Sequence, residues 1–368
     1  MKAPMSGTMG IAFEAGPGPE RVQARSLNRP VLATIIVPTY CAEATLERAL
    51  RSALDQTLRD VEIIVVDDAS TDGSWSLINT LVTEDSRIVA VRNERNRGKP
   101  VGMNRAIALA RGRWIAVLDA DDWYHPERLA RLIAIGERRR ADMVADNQFF
   151  FDAQADRIVG TAWRFTDGHW PLSFDHFLYG SNAYATFNLG MLKPVIRTDF
   201  IRRASLGYEE DARHGQDFFH LLQFYLAGGR AVVTDQPYYY YTQPFGTISR
   251  RWSHTARRRY DFQTAYLINQ RQITAARDIL TTSQVRRLEQ RNNQLRALEL
   301  YYQAKQCFAD GDYPGAVRRV TRQPALLRYA AWRLRKRLLG YPDSMPIERV
   351  AAQSRKHYAP TPPANDTQ

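Results

Sequence analysis

Cysteine is nearly absent: Cys41 and Cys307 are the only two in 368 residues. That excludes a disulfide framework and a four-cysteine zinc site. At this length a core of ordinary density needs no covalent staple. No apolar run approaches the roughly 18–20 residues that a membrane-spanning helix requires. The first thirty residues contain the run GPGPE and no continuous apolar block ahead of a cleavage-like site, so they read as a loose tail rather than a secretory signal. The expected compartment is the cytosol. Two phosphate-binding patterns are also missing, the P-loop GxxxxGK[ST] and the glycine fingerprint of a dinucleotide site. No internal repeat is visible.

What is present begins with an ordinary globular composition, 44% hydrophobic and 24% charged. The net charge of +12 is unevenly spread. Between Arg250 and Arg337 there are 20 basic and 6 acidic residues, so the remainder is slightly negative. Such a segment suits polyanions, acidic lipid headgroups or lipid-linked phosphates among them, or it is simply an Arg-rich solvated helical face. No nucleic-acid-binding motif accompanies the charge, and no nucleic-acid partner is expected.

Apolar runs at Ala33–Val37, Val61–Val66, Arg87–Arg92, Trp114–Leu118 and Asp142–Asp146 alternate with helical periodicity at Glu43–Thr57, Ser74–Thr83, Met103–Ala110 and Pro126–Arg139. Pro38 is expected to end the first strand. Strands that are apolar throughout are covered on both faces, which predicts an α/β fold with a doubly wound, mostly parallel sheet. Ligands bind such sheets at the carboxyl ends of the strands. Those ends carry Thr39-Tyr40, Asp67-Asp68, Arg92-Asn93 and Asp119-Ala120-Asp121-Asp122, so four polar clusters are expected along one edge. Beyond them, a hairpin is expected near Arg157–Arg164, a helix over Asp217–Ala227, a short strand at Arg230–Thr234 and helices from Arg257 to about Leu339.

Four constellations carry chemistry. Three carboxylates within Asp119-Ala120-Asp121-Asp122 repel one another unless a cation intervenes. They are either a site for Mg²⁺ or Mn²⁺ or a polar turn ahead of a helix. In Asp67-Asp68-Ala69-Ser70-Thr71-Asp72-Gly73, Asp68 can accept from a nucleobase N–H, whereas Asp72-Gly73 reads as a helix cap. Asn96-Arg97-Gly98-Lys99 opens a helix and suits phosphate. Gly215-Gln216-Asp217 places a carboxylate at a helix start, as a cap or as a general base.

Taken in order, Pro38-Thr39-Tyr40, Val66-Asp67-Asp68 through Ser74, Asn96-Arg97-Gly98, Leu118-Asp119-Ala120-Asp121-Asp122 and Gly215-Gln216-Asp217 resemble glycosyltransferase family 2 and its GT-A fold. The resemblance covers about Ala33 to Arg250. Residues 187–197 (FNLGMLKPVIR) are further similar to the succinoglycan-type exopolysaccharide enzymes of bacteria. The resemblance implies Pro38, Tyr40 and Asp68 at the base of a nucleoside diphosphate sugar, a UDP-sugar first among them. It implies Asp119 and Asp121 as its DXD motif; Arg97 or Lys99 would supply a diphosphate contact, and Arg250 or Arg251 a further cationic one near the donor. Asp121 and Asp122 would hold the Mg²⁺ or Mn²⁺, and Asp217 would be the base that deprotonates an acceptor hydroxyl. The implied reaction is sugar transfer with inversion onto a saccharide, lipid-linked by expectation, in exopolysaccharide or surface-polysaccharide synthesis. Three departures stand out: Cys41 where Asn is usual, Met103 where an Arg often precedes Asn104, and Gln216 in place of Glu. They motivate the alternative of a non-catalytic nucleotide-sugar-binding or interaction module.

The expected organisation is a tail over 1–32, a GT-A domain over 33–250 with a nucleotide-sugar half (33–147) and an acceptor half (148–250), a basic helical extension over 251–341 and a tail over 342–368. Trp163, Trp170, Tyr179, Tyr184, Tyr208 and Tyr238–Tyr241 supply either stacking faces for an acceptor sugar or core. On a helical wheel Leu326, Leu327, Ala330, Ala331, Leu334 and Leu338 share an arc opposite Arg328, Arg333, Arg335 and Lys336. Such a helix either lies on an anionic membrane, at the inner face of the cell membrane, or packs on its own domain.

Overall fold

The computed structural model describes residues 22–23, 30–163, 168–184, 188–243 and 261–321, together with Leu326, Leu327, Tyr329, Ala331, Leu334 and Leu338. Arg250, Phe187, most of the expected N-terminal tail and all of 342–368 lie outside the described residues. The strands are β1 (Val22–Gln23), β2 (Ala33–Thr39), β3 (Val61–Asp67), β4 (Ile88–Arg92), β5 (Trp114–Val117), β6 (Trp123–Tyr124), β7 (Met143–Asp152), β8 (Arg157–Thr161), β9 (His169–Pro171), β10 (Val195–Arg197) and β11 (Ala231–Gln243). The helices are α1 (Glu43–Leu54), α2 (Ser74–Glu84), α3 (Lys99–Leu109), α4 (Arg128–Arg139), α5 (Phe174–Gly180), α6 (Thr198–Arg203), α7 (Gln216–Leu226), α8 (Phe262–Ala275), α9 (Thr282–Ala309) and α10 (Tyr313–Thr321). They fall into two compact units. One holds residues up to 144 with 193–210 and 222–229; the other holds 145–192, 211–221 and residues from 230 on.

The first unit is built on a sheet in the order β1-β4-β3-β2-β5-β10-β7. Strands β4, β3, β2 and β5 are mutually parallel, while β1 and β10 run against their neighbours. Every residue of β3 and β5 is buried, and β2 is buried except at Pro38. Helices on both faces demand this continuous apolar pattern, and it is the reason the strands were legible. Strand β2 runs on through Pro38 to Thr39 rather than ending before the proline. Leu118 N donates to Ile36 O, so Ile36 and, two residues on, Pro38 face the β5 side. Pairing with β5 stops at Ile36–Val117, so the missing N–H of Pro38 leaves no ladder bond unmade. Helix α4 starts at Arg128, two residues after Pro126.

Strand β10 is a finding of the structure. Its three residues pair antiparallel with β5 (Ile196 opposite Ile115) and with β7 (Ile196 opposite Met143). Thr198 and Arg197 fasten its end, Thr198 Oγ1 donating to Gly112 O at 2.5 Å and Arg197 N to Asp142 O at 2.9 Å.

In the second unit the expected hairpin forms between β7 and β8, with Phe149 opposite Thr161 and a bulge at Phe150/Phe151. The short strand expected at Arg230–Thr234 is instead the thirteen-residue β11, which pairs β9 at Val233–Trp170. Helices α8 and α9 pack together around a buried Asn269 Nδ2 to Asn292 Oδ1 bond of 2.7 Å. Helix α9 opens with a capping box in which Thr281 and Gln284 exchange side-chain and backbone bonds. Of the aromatic candidates, Trp163, Tyr208 and Tyr239 are core, whereas Trp170, Tyr179, Tyr184, Tyr238, Tyr240 and Tyr241 are half-buried. The arc of the last helical stretch divides: Leu326 and Tyr329 are buried, whereas Leu327, Leu334 and Leu338 are 53%, 58% and 73% exposed.

Candidate functional site

The order β4-β3-β2-β5 puts β2, the first of the four parallel strands, in the middle of that set, and the chain winds outward from it in both directions. The ends of β2 and β5 therefore flank the point where ligands bind such sheets. The loop after β2 turns at Cys41 with φ +48, and the loop after β3 turns at Ala69 with φ +59. Both are left-handed, a conformation that costs a residue with a Cβ about 1–2 kcal/mol. The two loops are tied together. Cys41 N donates to Ser70 Oγ and Ala42 N to Ser74 Oγ, each at 2.9 Å. Asp72 settles as a cap: its Oδ1 accepts from Ser74 N at 3.1 Å and from Ser74 Oγ at 2.6 Å. Its other oxygen accepts from Glu43 N, and Glu43 returns the bond by accepting from Gly73 N at 3.0 Å. The starts of α1 and α2 are thus braced against each other.

Asp68 is buried and accepts three hydrogen bonds, from Asn93 Nδ2 (2.7 Å), Arg97 N (2.9 Å) and Gly98 N (2.7 Å). It holds the backbone that leads into α3. Gly98 sits there with φ +90, where a side chain would be strained. Arg105 Nη1 donates to Asn93 Oδ1, extending the network away from Asp68. Burial lowers the Arg105 pKa, with the charge of Arg97 adding to it. Arg97 keeps a half-exposed guanidinium 3.9 Å from Glu210. Met103 is wholly buried, so its side chain is core rather than a phosphate contact. Asn104 instead clamps a distant segment, donating to Tyr208 O (2.9 Å) and Glu210 Oε1 (3.1 Å) and accepting from Tyr208 N (2.7 Å).

Asp119, Asp121 and Asp122 follow β5, and one carboxylate oxygen from each lies within 4.8 Å of the others. Asp119 is gripped from two sides: Lys99 Nζ donates to Oδ1 at 2.7 Å, and Lys193 Nζ meets Oδ2 at 2.8 Å. Burial alone would push Asp119 up, but the two lysines outweigh it and hold the carboxyl far below its ordinary range. Asp121 goes the other way. Burial, reinforced by the charge of Asp119, pushes it up to about 6. Adjacent carboxylates pulled apart in this way are a mark of a working site. Together the three carboxylates offer oxygen donors of the kind that a hard divalent cation takes.

Pro38 and Tyr40 stand half-buried at the end of β2. Asp217 lies in the other unit, in the first turn of α7 behind Gly215 with φ +71. Within the first unit the structure thus brings Pro38, Tyr40, Asp68, Arg97, Asp119, Asp121 and Asp122 to the ends of β2, β3 and β5 and the start of α3. Sequence reasoning placed Asn93 at this edge without its bond to Asp68, and it missed Lys193. Lys193 is 5% exposed and lies 74 positions from its partner Asp119. Its only signal was the position, inside the FNLGMLKPVIR segment and just ahead of β10.

The sequence profile described as Glycosyl transferase family 2 matches residues 34–190, the segment that supplies β2 to α5. The chain carries a glycosyltransferase family 2 domain. Succinoglycan biosynthesis protein ExoO of Rhizobium meliloti is 32% identical to it over 229 residues, 59% of this chain and 62% of the relative. The UDP-Glc:alpha-D-GlcNAc-diphosphoundecaprenol beta-1,3-glucosyltransferase WfaP of Escherichia coli is 35% identical over 118 residues, 32% of this chain and 46% of the relative. The chain therefore spans about half to three-fifths of the length of these relatives. The structure of S. aureus TarS 1–349 in complex with UDP-GlcNAc superposes with a TM-score of 0.58 at 21% identity, covering 78% of this chain and 82% of that one. The family 2 domain has the GT-A fold of these glycosyltransferases, with helices following it.

Proposed function

We propose that this family 2 protein transfers a sugar from a UDP-sugar to a hydroxyl of a saccharide acceptor, with inversion, in bacterial exopolysaccharide or surface-polysaccharide synthesis. The observation that carries the reading is the carboxylate trio after β5, with Asp119 ionised between two lysines and Asp121 poised to take a cation. UDP as carrier is supported by the UDP-Glc donor of WfaP and the UDP-GlcNAc bound to TarS. A lipid diphosphate on the acceptor is supported by the WfaP acceptor and by the basic stretch beyond Arg250.

Pro38 and Tyr40 line the base. Asp68 has about four acceptor directions and spends three on the protein, so one remains for a nucleobase N–H. Asp119, fixed by Lys99 and Lys193, presents a rigid carboxylate to the ribose. Arg97 would meet the diphosphate charge, and the same role is proposed for Arg250, which lies outside the described residues. Asp121 and Asp122 would hold Mg²⁺ or Mn²⁺, which when bound would supply Lewis-acid stabilisation of the diphosphate charge. Asp217 accepts the proton of the acceptor hydroxyl as its oxygen bonds to the anomeric carbon. The bond from that carbon to the diphosphate breaks, and the electron pair leaves with UDP. A single displacement of this kind inverts the anomeric centre.

The test is a screen of nucleoside diphosphate sugars with Mn²⁺ or Mg²⁺, reading metal-dependent release of the nucleoside diphosphate. Asp121→Ala is expected to lose donor binding; Asp217→Asn is expected to keep donor binding and lose transfer. Release of no nucleotide by the wild type from any donor would instead favour the non-catalytic module suggested by Cys41, Met103 and Gln216.

The chain is further proposed to work in the cytoplasm against the inner face of the cell membrane. Among the described residues no helix is long and apolar enough to cross a membrane. Exposed Leu327, Leu334 and Leu338 recur at helical spacing, and Arg and Lys lie between them in sequence.

A further inference from the structure

Arg291 is a buried cation in an unusual setting. It projects from the middle of α9 and is 6% exposed. Among the described residues it has no carboxylate within ion-pair distance. Its Nη1 donates to Ser181 O, just past the end of α5, at 2.7 Å. Its guanidinium carbon lies 3.6 Å over the ring of Phe218. Its Nε is buried and has no hydrogen-bond partner among the described residues. An arginine buried without an anion is costly, and a polar atom left unmet adds to that cost. A leucine would fill the same place more cheaply, so packing alone is a poor account of this residue.

Its neighbours give a better one. Phe218 follows Asp217 directly, in the first turn of α7. A Cβ added to Gly215 would stand 3.6 Å from Arg291 Nη2. His214, one residue earlier, is half-buried, its ring packed edge-on to Phe262 with centroids 4.5 Å apart. Burial and the Arg291 charge hold its pKa down at about 4, so it is neutral and adds no second cation. Phe218 in turn stacks on Phe177 of α5 with centroids 5.5 Å apart. The same face of α9 reaches α5 and its following loop again, through Gln284 to Asp175 and Gln294 to Ala183 N. The guanidinium thus sits among the end of α5, the left-handed turn at Gly215 and the first turn of α7.

We infer that Arg291 is a positioning residue for Asp217: the C-terminal helices hold the start of α7, through this one guanidinium, in the orientation that the acceptor-activating carboxylate needs. The inference rests on the proposed role of Asp217 as base. It gives the helices after the transferase domain a part in the reaction, separate from any contact with a membrane.

The experiment uses the full chain with Mn²⁺ and an equimolar mixture of UDP-glucose, UDP-galactose and UDP-N-acetylglucosamine. Slow release of UDP to water is read alongside UDP affinity by calorimetry and the melting temperature. Arg291→Met, Arg291→Lys and Asp217→Asn are compared with Asn292→Ala, a control that cuts the Asn269 bond on the neighbouring position of α9. Arg291→Met and Asp217→Asn are each expected to slow UDP release at least tenfold while UDP affinity stays within twofold. Arg291→Lys, which keeps a cation over Phe218, is expected to recover part of that loss. The control is expected to lower the melting temperature and leave release unchanged. Wild-type release by Arg291→Lys and Arg291→Met beside a crippled Asp217→Asn would overturn the positioning role and leave the base intact. Wild-type release by Asp217→Asn would remove the base assignment itself. If Arg291→Met does not fold, the lysine variant decides: loss of UDP affinity and melting temperature in step with release, as for a general destabilisation, also overturns the inference.

Discussion

Cys41 shows how far one dihedral angle explains a residue choice. Its φ of +48 lies in the region where Asn is several-fold enriched, because a short polar side chain tolerates it. Asn is also the usual residue of the family at this position. Cys41→Asn is therefore expected to leave UDP binding unchanged and to raise stability by about 0.5–1 kcal/mol, read as a higher melting temperature. Asp121 makes a second prediction. Its pKa is raised to about 6, so the folded, metal-free protein holds a proton there more tightly than the unfolded chain does. That contribution to stability is complete below the ordinary carboxyl range and is lost as pH rises through 6. A divalent cation must displace the same proton. Mn²⁺ affinity, followed by calorimetry, is expected to be flat above pH 7 and to fall by about tenfold per unit below pH 6. An affinity unchanged between pH 5 and 7 would mean that Asp121 is not a ligand.

At the scale of elements, Gly136 sets helix propensity against packing. It lies inside α4, where Ala would be favoured by about 1 kcal/mol. A Cβ there would stand 2.5 Å from Trp114 Cη2 and 3.1 Å from Val144 Cγ2, both in the sheet. Overpacking of that kind costs about 1–3 kcal/mol. Gly136→Ala is expected to destabilise, and denaturant unfolding gives the sign. This close approach of helix to sheet was invisible in the sequence, whereas the elements themselves were not. The runs ATIIV, VEIIVV, RIVAVR and WIAVL read as strands because burial on both faces leaves nothing polar to confuse the pattern. Three-residue β10 offers no periodicity at all, and its place between β5 and β7 is a matter of long-range pairing. The site divides the same way. The carboxylates after β3 and β5 were legible because charge at the end of an apolar strand is anomalous. Lys193 was not, since nothing local says that a lysine beside a proline will be buried against Asp119. Nor did the sequence say that Asp68 already carries three hydrogen bonds from its own protein.

For the whole molecule, the charge asymmetry becomes a prediction about surfaces. Leu334 and Leu338 are exposed on a stretch where Arg333, Arg335, Lys336 and Arg337 are neighbours in sequence. Vesicles of phosphatidylglycerol and phosphatidylcholine at low salt are expected to pull the chain down. Leu334→Glu with Leu338→Glu is expected to weaken that binding at least tenfold in sedimentation, with UDP affinity untouched. Equal sedimentation with purely zwitterionic vesicles would argue against an anionic surface.

The late arrival of β10 has a consequence for biogenesis. During synthesis the first five strands and their helices emerge with the edge of β5, whose residues Trp114 to Val117 are all apolar, lacking its partner. Strand β7 cannot serve, because its place in the order is beyond β10. At roughly 5–20 residues per second the ribosome takes several seconds to deliver Val195–Arg197. For that interval the nascent sheet presents an unpaired hydrophobic edge, the feature that invites intermolecular pairing. The first unit is therefore completed only after much of the chain of the second has been made, and a fragment ending at the close of β7 should not be expected to stay soluble.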